Sequence, residues 1–489
     1  MTQLYGCSQN WWDIPILVDI ASGVGYRRVV TTESDTRHIN QGRRKQVLMR
    51  ANRDLRKHAS PQRIAELNLI GNNSGNSVFA HAVHRALSTA SNDITIGAVG
   101  RKSDLAGHIN ERYDQYVIPL ANAFRRSFIE RLDQYSEIIE GLRIPVVVIG
   151  SGAQHDDRAT GIGRLPRIRP NVERFMRAVL KRSASVGVRG EVTYNYLRDL
   201  GFSDDEVHII GCPSLFQFGE ALAVRPYDGL DSDSLVSINI SPYRDKMGAI
   251  ASVNAARYPR LQYVPQDLGT LRVLLHGSDP EPGINYAPGI PYRISDPLIR
   301  DGRTQFFVDP TTWEQWLATR DVSFGTRIHG NIAALLGGTP SFVLAHDSRT
   351  LELAEYHEIP HRRLDDVPDD VDPRDLFEQA DFSAFHRNHP ERFDNYVRFL
   401  NNNGIDHIFR GHREDSAAVR SFDRQIELAR NKRPVSVSGG FGSAVSRKRK
   451  RLREVGAAIL PRSRRKSWRI QRAASPERAQ VTKRAGRGG

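Results

Sequence analysis

The 489 residues carry a formal net charge of +14 and 39% hydrophobic side chains, a length that suggests two or three domains and excludes a single small module. Two cysteines, Cys7 and Cys212, exclude a disulfide framework and a four-thiolate metal site. No stretch approaches the roughly 18 apolar residues of a spanning helix and no basic segment precedes a long apolar core as in a secretion signal, so a cytoplasmic protein is expected.

The first 65 residues, with GYRRVV, QGRRKQ and NRDLRKHAS, read as a basic, irregular lead-in. From Leu67 an α/β order begins. LNLI reads as a short strand, GNNSGN (71–76) as a loop, and SVFAHAVHRALS as a helix with Val78, Ala82, Val83, Ala86 and Leu87 on one face. His81 and His84 on that helix read as its polar edge. PVVVIGSGAQ is a strand running straight into a glycine loop, the pattern of a strand buried on both faces. SVGVRG with the helix EVTYNYLRDLG, and then EVHIIGCPSLF, repeat the unit, and β/α units in series argue for a parallel sheet covered by helices. This first α/β domain is assigned to 66–222.

The polar PYDGLDSDS separates it from a second α/β domain, assigned to 232–430. There LVSINISP, LQYVPQD, FFVD, DVSFGTRIHG and PSFVLA read as strands, and TTWEQWLATR, NIAALLGG and LELAEYHEI as helices. Two such domains leave a cleft at the carboxyl ends of their strands, where open α/β sheets bind ligands. Beyond Asn431, RPVSVSGGFGSAVS reads as a flexible linker leading into a basic tail, 431–489, too poor in apolar residues to form a core. Residues 432–489 hold 18 Lys and Arg against Glu454 and Glu477, whereas residues 58–431 are mildly acidic. The net charge therefore describes the ends, and nucleic-acid binding does not follow from it.

The densest chemical constellation is FGTRIHG (324–330), between a strand and a helix. A helix N-terminus there attracts anions, Arg327 adds a bidentate fork for phosphate or carboxylate, and His329 beside a bound anion has its pKa raised and suits a general acid. The plainer alternative has Arg327 pairing an acidic neighbour and His329 tying the loop. Arg189 in VGVRGE also sits at a strand end, with a surface pair to Glu191 or Glu206 as its alternative. GNNSGN and GSGAQ offer glycines and amides, yet neither is a dinucleotide fingerprint or a P-loop. No Cys/His spacing fits zinc, and no nucleophile elbow is present. Trp313 and Trp316 read as packing residues.

GNNSGN opening a helix, VVVIGSGAQ, SVGVRGE, VHIIGCPSLF and above all SFGTRIHGNIAALLGGTPSFVLAHDSRTLELAEYHEIP together resemble the polysaccharide pyruvyl transferases, over about residues 67–360. The resemblance implies two Rossmann-like domains facing a cleft, similar to the GT-B glycosyltransferases. It also implies transfer of pyruvyl from phosphoenolpyruvate to a hydroxyl pair of a sugar or glycan precursor, giving a ketal and phosphate without metal or redox cofactor. Motif against motif, it places the catalytic histidine at His329, basic donor-binding residues at Arg189 and Arg327, and further substrate contacts at Asn73, Asn76 and Gly330. Where the family usually has Gly-Asp in the first loop, this chain has Gly75-Asn76, and Asn76 can hydrogen-bond but cannot act as a base. A nucleotide-sugar glycosyltransferase and a non-catalytic polyanion-binding protein are the alternatives. The basic tail is expected to meet an anionic membrane surface where a lipid-linked acceptor would be assembled.

Overall fold

The computed structural model describes residues 43–97, 105–154, 168–280, 286–410 and 416–437. The expectations for residues 1–42 and for the tail from 438 onward fall outside the described residues.

The architecture is α/β with parallel sheets. Strands β1 (Lys45–Arg50), β2 (Asn92–Gly97), β3 (Gln115–Pro119) and β4 (Val146–Ile149) form a four-stranded sheet in the order β2-β1-β3-β4, every pair parallel. A parallel pair, β5 (Val186–Val188) and β6 (Val207–Ile209), follows, and Ser151 just past β4 bridges to Val188. Strands β7 (Val236–Asn239), β8 (Gln262–Tyr263), β9 (Val322–Gly325), β10 (Ser341–Ala345) and β11 (His361–Arg363) form a second parallel sheet in the order β11-β10-β9-β7-β8. Side chains on both faces of β3, β4, β7, β9 and β10 are buried, as parallel sheets covered by helices require, while the edge strands β2 and β11 keep exposed residues.

Four sequence expectations are corrected. The lead-in is not irregular throughout: KQVLMR forms β1, inside the first sheet, with Val47 and Met49 in one apolar cluster and Leu48 in another. Three apolar residues between charged flanks are too short a run for periodicity to detect. LNLI is a turn, because Asn68 adopts a left-handed φ of 49° and its Oδ1 accepts from Asn72 N at 2.7 Å. FFVD joins no sheet ladder; both backbone groups of Phe306 pair instead with Val435. That pairing also makes the start of the presumed linker part of the body, and Asn431 reinforces it with bonds to Asp309 Oδ2 (2.8 Å) and Ala59 O (2.9 Å).

The boundaries 66–222 and 232–430 do not describe how the chain packs. The Ser383–Asn402 helix returns to the first sheet, where Phe393, Tyr396, Phe399 and Leu400 cluster with Val47, Met49, Val147 and Ile149. Asn403 Oδ1 accepts from Ser185 N at 3.1 Å, and Ile408 N donates to Ala86 O at 2.9 Å. An amphipathic helix announces which face it buries, not which sheet it buries it on. His81 and His84 are likewise buried, both against Phe422 of the Ser416–Ala429 helix. Trp313 packs as expected, parallel to Phe307. Among the described residues no helix is long and apolar enough to cross a membrane.

Candidate active site

The register of β7 with β9 sets Asn239 opposite Gly325. Gly325 has φ 141°, and a Cβ there would fall 1.9 Å from the Asn239 carbonyl oxygen, so a side chain is excluded where the chain turns off the strand. Asn239 then pins the turn: its carbonyl accepts from Thr326 N at 3.0 Å and its Oδ1 from Arg327 N at 2.7 Å. The Ile328–Leu336 helix starts here with Arg327 at its N-cap and no side-chain capping bond. Arg327 Nε donates to Ile240 O at 3.2 Å, and His329 lies buried in the first turn.

Three other strand ends meet it. Arg189, just past β5, is 1% exposed. Its Nε donates to Gly150 O at 3.0 Å, while Nη2 is buried with no hydrogen-bond partner among the described residues. Its guanidinium carbon stands 5.7 Å from the centre of the Phe79 ring, and that ring is 6.2 Å from the His329 ring. Cys212, beyond β6, brings its Sγ to 3.9 Å from His329 Nε2. Beyond β10, Asp347 caps the Ser348–His357 helix by accepting from Thr350 N (2.8 Å) and Oγ1 (2.7 Å), and pairs with Arg349 at 3.0 Å. One turn on, Glu352 accepts from Thr193 N (3.0 Å) and Oγ1 (2.9 Å) at the start of the Glu191–Asp199 helix.

Burial, and after it the positive charges of Arg189, Arg349 and Arg327, hold the His329 pKa well below its usual value. The rise expected from the sequence belongs to the histidine beside a bound anion; in the protein alone it is the burial and the arginines that act on the ring. Arg189 is lowered to about 10, chiefly by burial, and stays a cation at neutral pH. Burial pushes Glu352 up to about 7. Asp347 is also buried, yet Arg349, His346 and the Thr350 bonds keep its pKa below the usual carboxylate range. A neutral histidine, a buried cation with a spare donor and two further arginines can bind a multiply charged anion and, once it is bound, exchange a proton with it.

The sequence matches the polysaccharide pyruvyl transferase family over residues 73–348, more than half of the chain. The chain belongs to that family. No curated protein matches it. Among solved structures it is similar to an uncharacterized protein of Klebsiella pneumoniae, at 12% identity over 64% of this chain and 88% of that one, with a TM-score of 0.33. It is also similar to UDP-GlcNAc 2-epimerases of Methanocaldococcus jannaschii (9% identity, 78% and 99% covered, TM-score 0.37) and Neisseria meningitidis (11%, 79% and 100%, 0.35).

Arg189, Arg327 and His329, which the resemblance singles out, come together. Asn73 lies at their margin: its Oδ1 accepts from Gly75 N at 2.9 Å, and a Cβ on Gly75 would meet His329 Cβ at 2.8 Å. The other two, Asn76 and Gly330, also make bonds within the fold. The Asn76 amide donates to Ile70 O and Gly71 O, both at 3.1 Å, so its nitrogen ties the loop. The N–H of Gly330 donates to Arg327 O at 2.9 Å, and a Cβ there would strike Gln266 Nε2 at 2.7 Å, so Gly330 is a spacer for close packing. Arg349, Asp347, Glu352 and Cys212 were not anticipated. HDSR and IIGCP each follow a strand and precede a helical turn, which is the same signal that singled out Arg327.

Proposed function

We propose that this family member takes phosphoenolpyruvate as donor and forms a pyruvate ketal on a hydroxyl pair of a glycan precursor. The observation that carries the reading is the convergence of Arg189, Arg327 and Arg349 on His329. Phosphate and carboxylate of the donor are the anions such a set accommodates, Arg189 Nη2 supplying a donor with no other partner among the described residues. Binding them offsets the arginine charge, so His329 gains a proton as the donor arrives. His329 delivers that proton to the methylene carbon of the enol, making a methyl group and a cationic carbon that still bears the phosphate oxygen. One sugar hydroxyl adds there and releases its proton. The second hydroxyl then displaces phosphate, which leaves with the electron pair of its C–O bond, and the second hydroxyl proton is released. Overall, one diol and one phosphoenolpyruvate give one ketal and one phosphate.

The test combines two readouts. Phosphoenolpyruvate raises the melting temperature, as a ligand of the native state must, and incubation with a competent glycan yields a new methyl singlet by proton NMR together with equimolar phosphate. Absence of stabilisation at millimolar donor sinks the reading. The same proposal extends to the basic end of the chain, which is assigned to an anionic lipid surface carrying the acceptor on the cytoplasmic face.

A further inference from the structure

A trio of tyrosines packs on the loop past β7, whose Ile240 carbonyl holds Arg327 Nε, with no part in the chemistry above. Tyr243 follows β7 and is 67% exposed, the largest exposure among the large hydrophobic residues of the body apart from Leu428 at 77%. A single exposed ring is ordinary; this one is braced. Its ring meets Tyr286 edge-on at 5.9 Å and 84°, and Tyr286 meets Tyr292 at 4.9 Å and 68°. Tyr286 donates its hydroxyl to Asp267, and Ala287 N donates to Pro242 O at 2.8 Å, which fastens the segment after Tyr286 to the Tyr243 loop.

The placement is specific. Tyr243 lies three residues beyond Ile240, whose carbonyl holds Arg327 Nε, and both Asp267 and Arg327 act on it electrostatically. Asp267 in turn pairs its backbone with Asn73, at the margin of His329. The whole group stands at the carboxyl ends of β7, β8 and β9, the edge where open α/β sheets take ligands. A tyrosine face is a rigid, low-entropy surface with a polar rim. It suits a ligand with an apolar C–H face and a ring of hydroxyls, which describes a pyranose.

We infer that Tyr243, braced by Tyr286 and Tyr292, is the platform on which the acceptor's pyranose ring lies, with Asp267 and Arg327 at its rim. The inference rests on the proposed sugar acceptor and adds where it sits. Ketal formation requires the hydroxyl edge of a ring stacked there to be turned toward the donor side.

Saturation-transfer NMR with methyl glucoside, methyl galactoside and methyl mannoside tests it without turnover. At least one glycoside is expected to receive magnetisation at its ring C–H protons. Tyr243→Ala should reduce that signal about fivefold or more, and Tyr243→Phe, which keeps the face, should retain it. Because Tyr243 is exposed, both variants should fold, and unchanged stabilisation by phosphoenolpyruvate verifies it. Transfer to none of the three sugars overturns the inference. So does equal transfer in wild type and Tyr243→Ala, or transfer to uridine diphosphate through its base alone. Loss of the donor effect in wild type with the sugar signal intact would instead sink phosphoenolpyruvate as donor and leave the platform standing.

Discussion

Cys212 Sγ lies 3.9 Å from Nε2 of His329, both side chains buried. The thiol faces one ring nitrogen, and burial, followed by the charges of three arginines, disfavours the protonated ring. Binding of the proposed donor should therefore be coupled to proton uptake. Calorimetric titration of phosphoenolpyruvate at about pH 7.5 in buffers of different ionisation enthalpy should report uptake of about one proton per site. His329→Gln should bring that number close to zero while binding persists. Uptake that is the same in both proteins would place the titrating group elsewhere.

Turnover separates acid from ligand. His329→Ala and His329→Gln should each lower kcat by about 10² to 10⁴, the range of general acid catalysis, with donor stabilisation retained because the arginines remain. A Gln variant with most of the wild-type kcat would make His329 a structural residue.

The proposed donor site draws its arginines from two sheets. Arg189→Lys and Arg327→Lys should each weaken donor binding about tenfold or more, a planar fork being replaced by a point charge. Arg349→Ala should do the same, although Arg349 lies just past the end of the family match. It should also free Asp347, its partner at 3.0 Å. Equilibrium binding of the donor to each variant decides, and an unchanged affinity removes that residue from the donor site.

Stability should fall on mild acidification. Seven histidines are depressed by burial: His84 to about 3, His81, His346 and His407 to about 4, and His329, His357 and His389 below the usual range. Each stays neutral in the fold but takes up a proton when unfolded, so stability is present above the ordinary histidine value of 6.5 and is lost as pH falls below it. Glu314 and Glu352, raised to about 7 by burial, work the other way, holding protons in the fold that the unfolded chain releases; they are two against seven. The melting temperature should thus drop between about pH 7 and 5, and a flat profile would contradict the burial of these rings.

The basic tail gives a separable test. Deleting residues 438–489 removes 16 of the 18 Lys and Arg beyond Asn431 and spares the Val435–Phe306 pairing. Turnover of a soluble acceptor should be unchanged, while co-sedimentation with phosphatidylserine vesicles should be lost, each basic residue near such a surface contributing about 1 kcal/mol. Unchanged sedimentation would end the assignment.

The parallel strands with unbroken apolar runs, PVVVIG and PSFVLA, were legible in the chain, because burial on both faces favours such a run. The strand-end loops were legible for a related reason: FGTRIHG and VGVRG place charged residues where an apolar run stops, and in a parallel sheet such points collect on one edge. That much, with the family, the sequence determined by itself. Tertiary structure alone decided that KQVLMR lies inside a sheet, that the Ser383–Asn402 helix returns to the first sheet, and that the Asn76 amide ties its own loop. It alone decided that burial and three arginines depress the His329 pKa and that Tyr286 braces Tyr243. The reason is common to all of these. Local pattern reports whether a side chain is buried, but its partner, and so the sign of its pKa shift or its freedom to meet a ligand, is set by residues tens to hundreds of positions away.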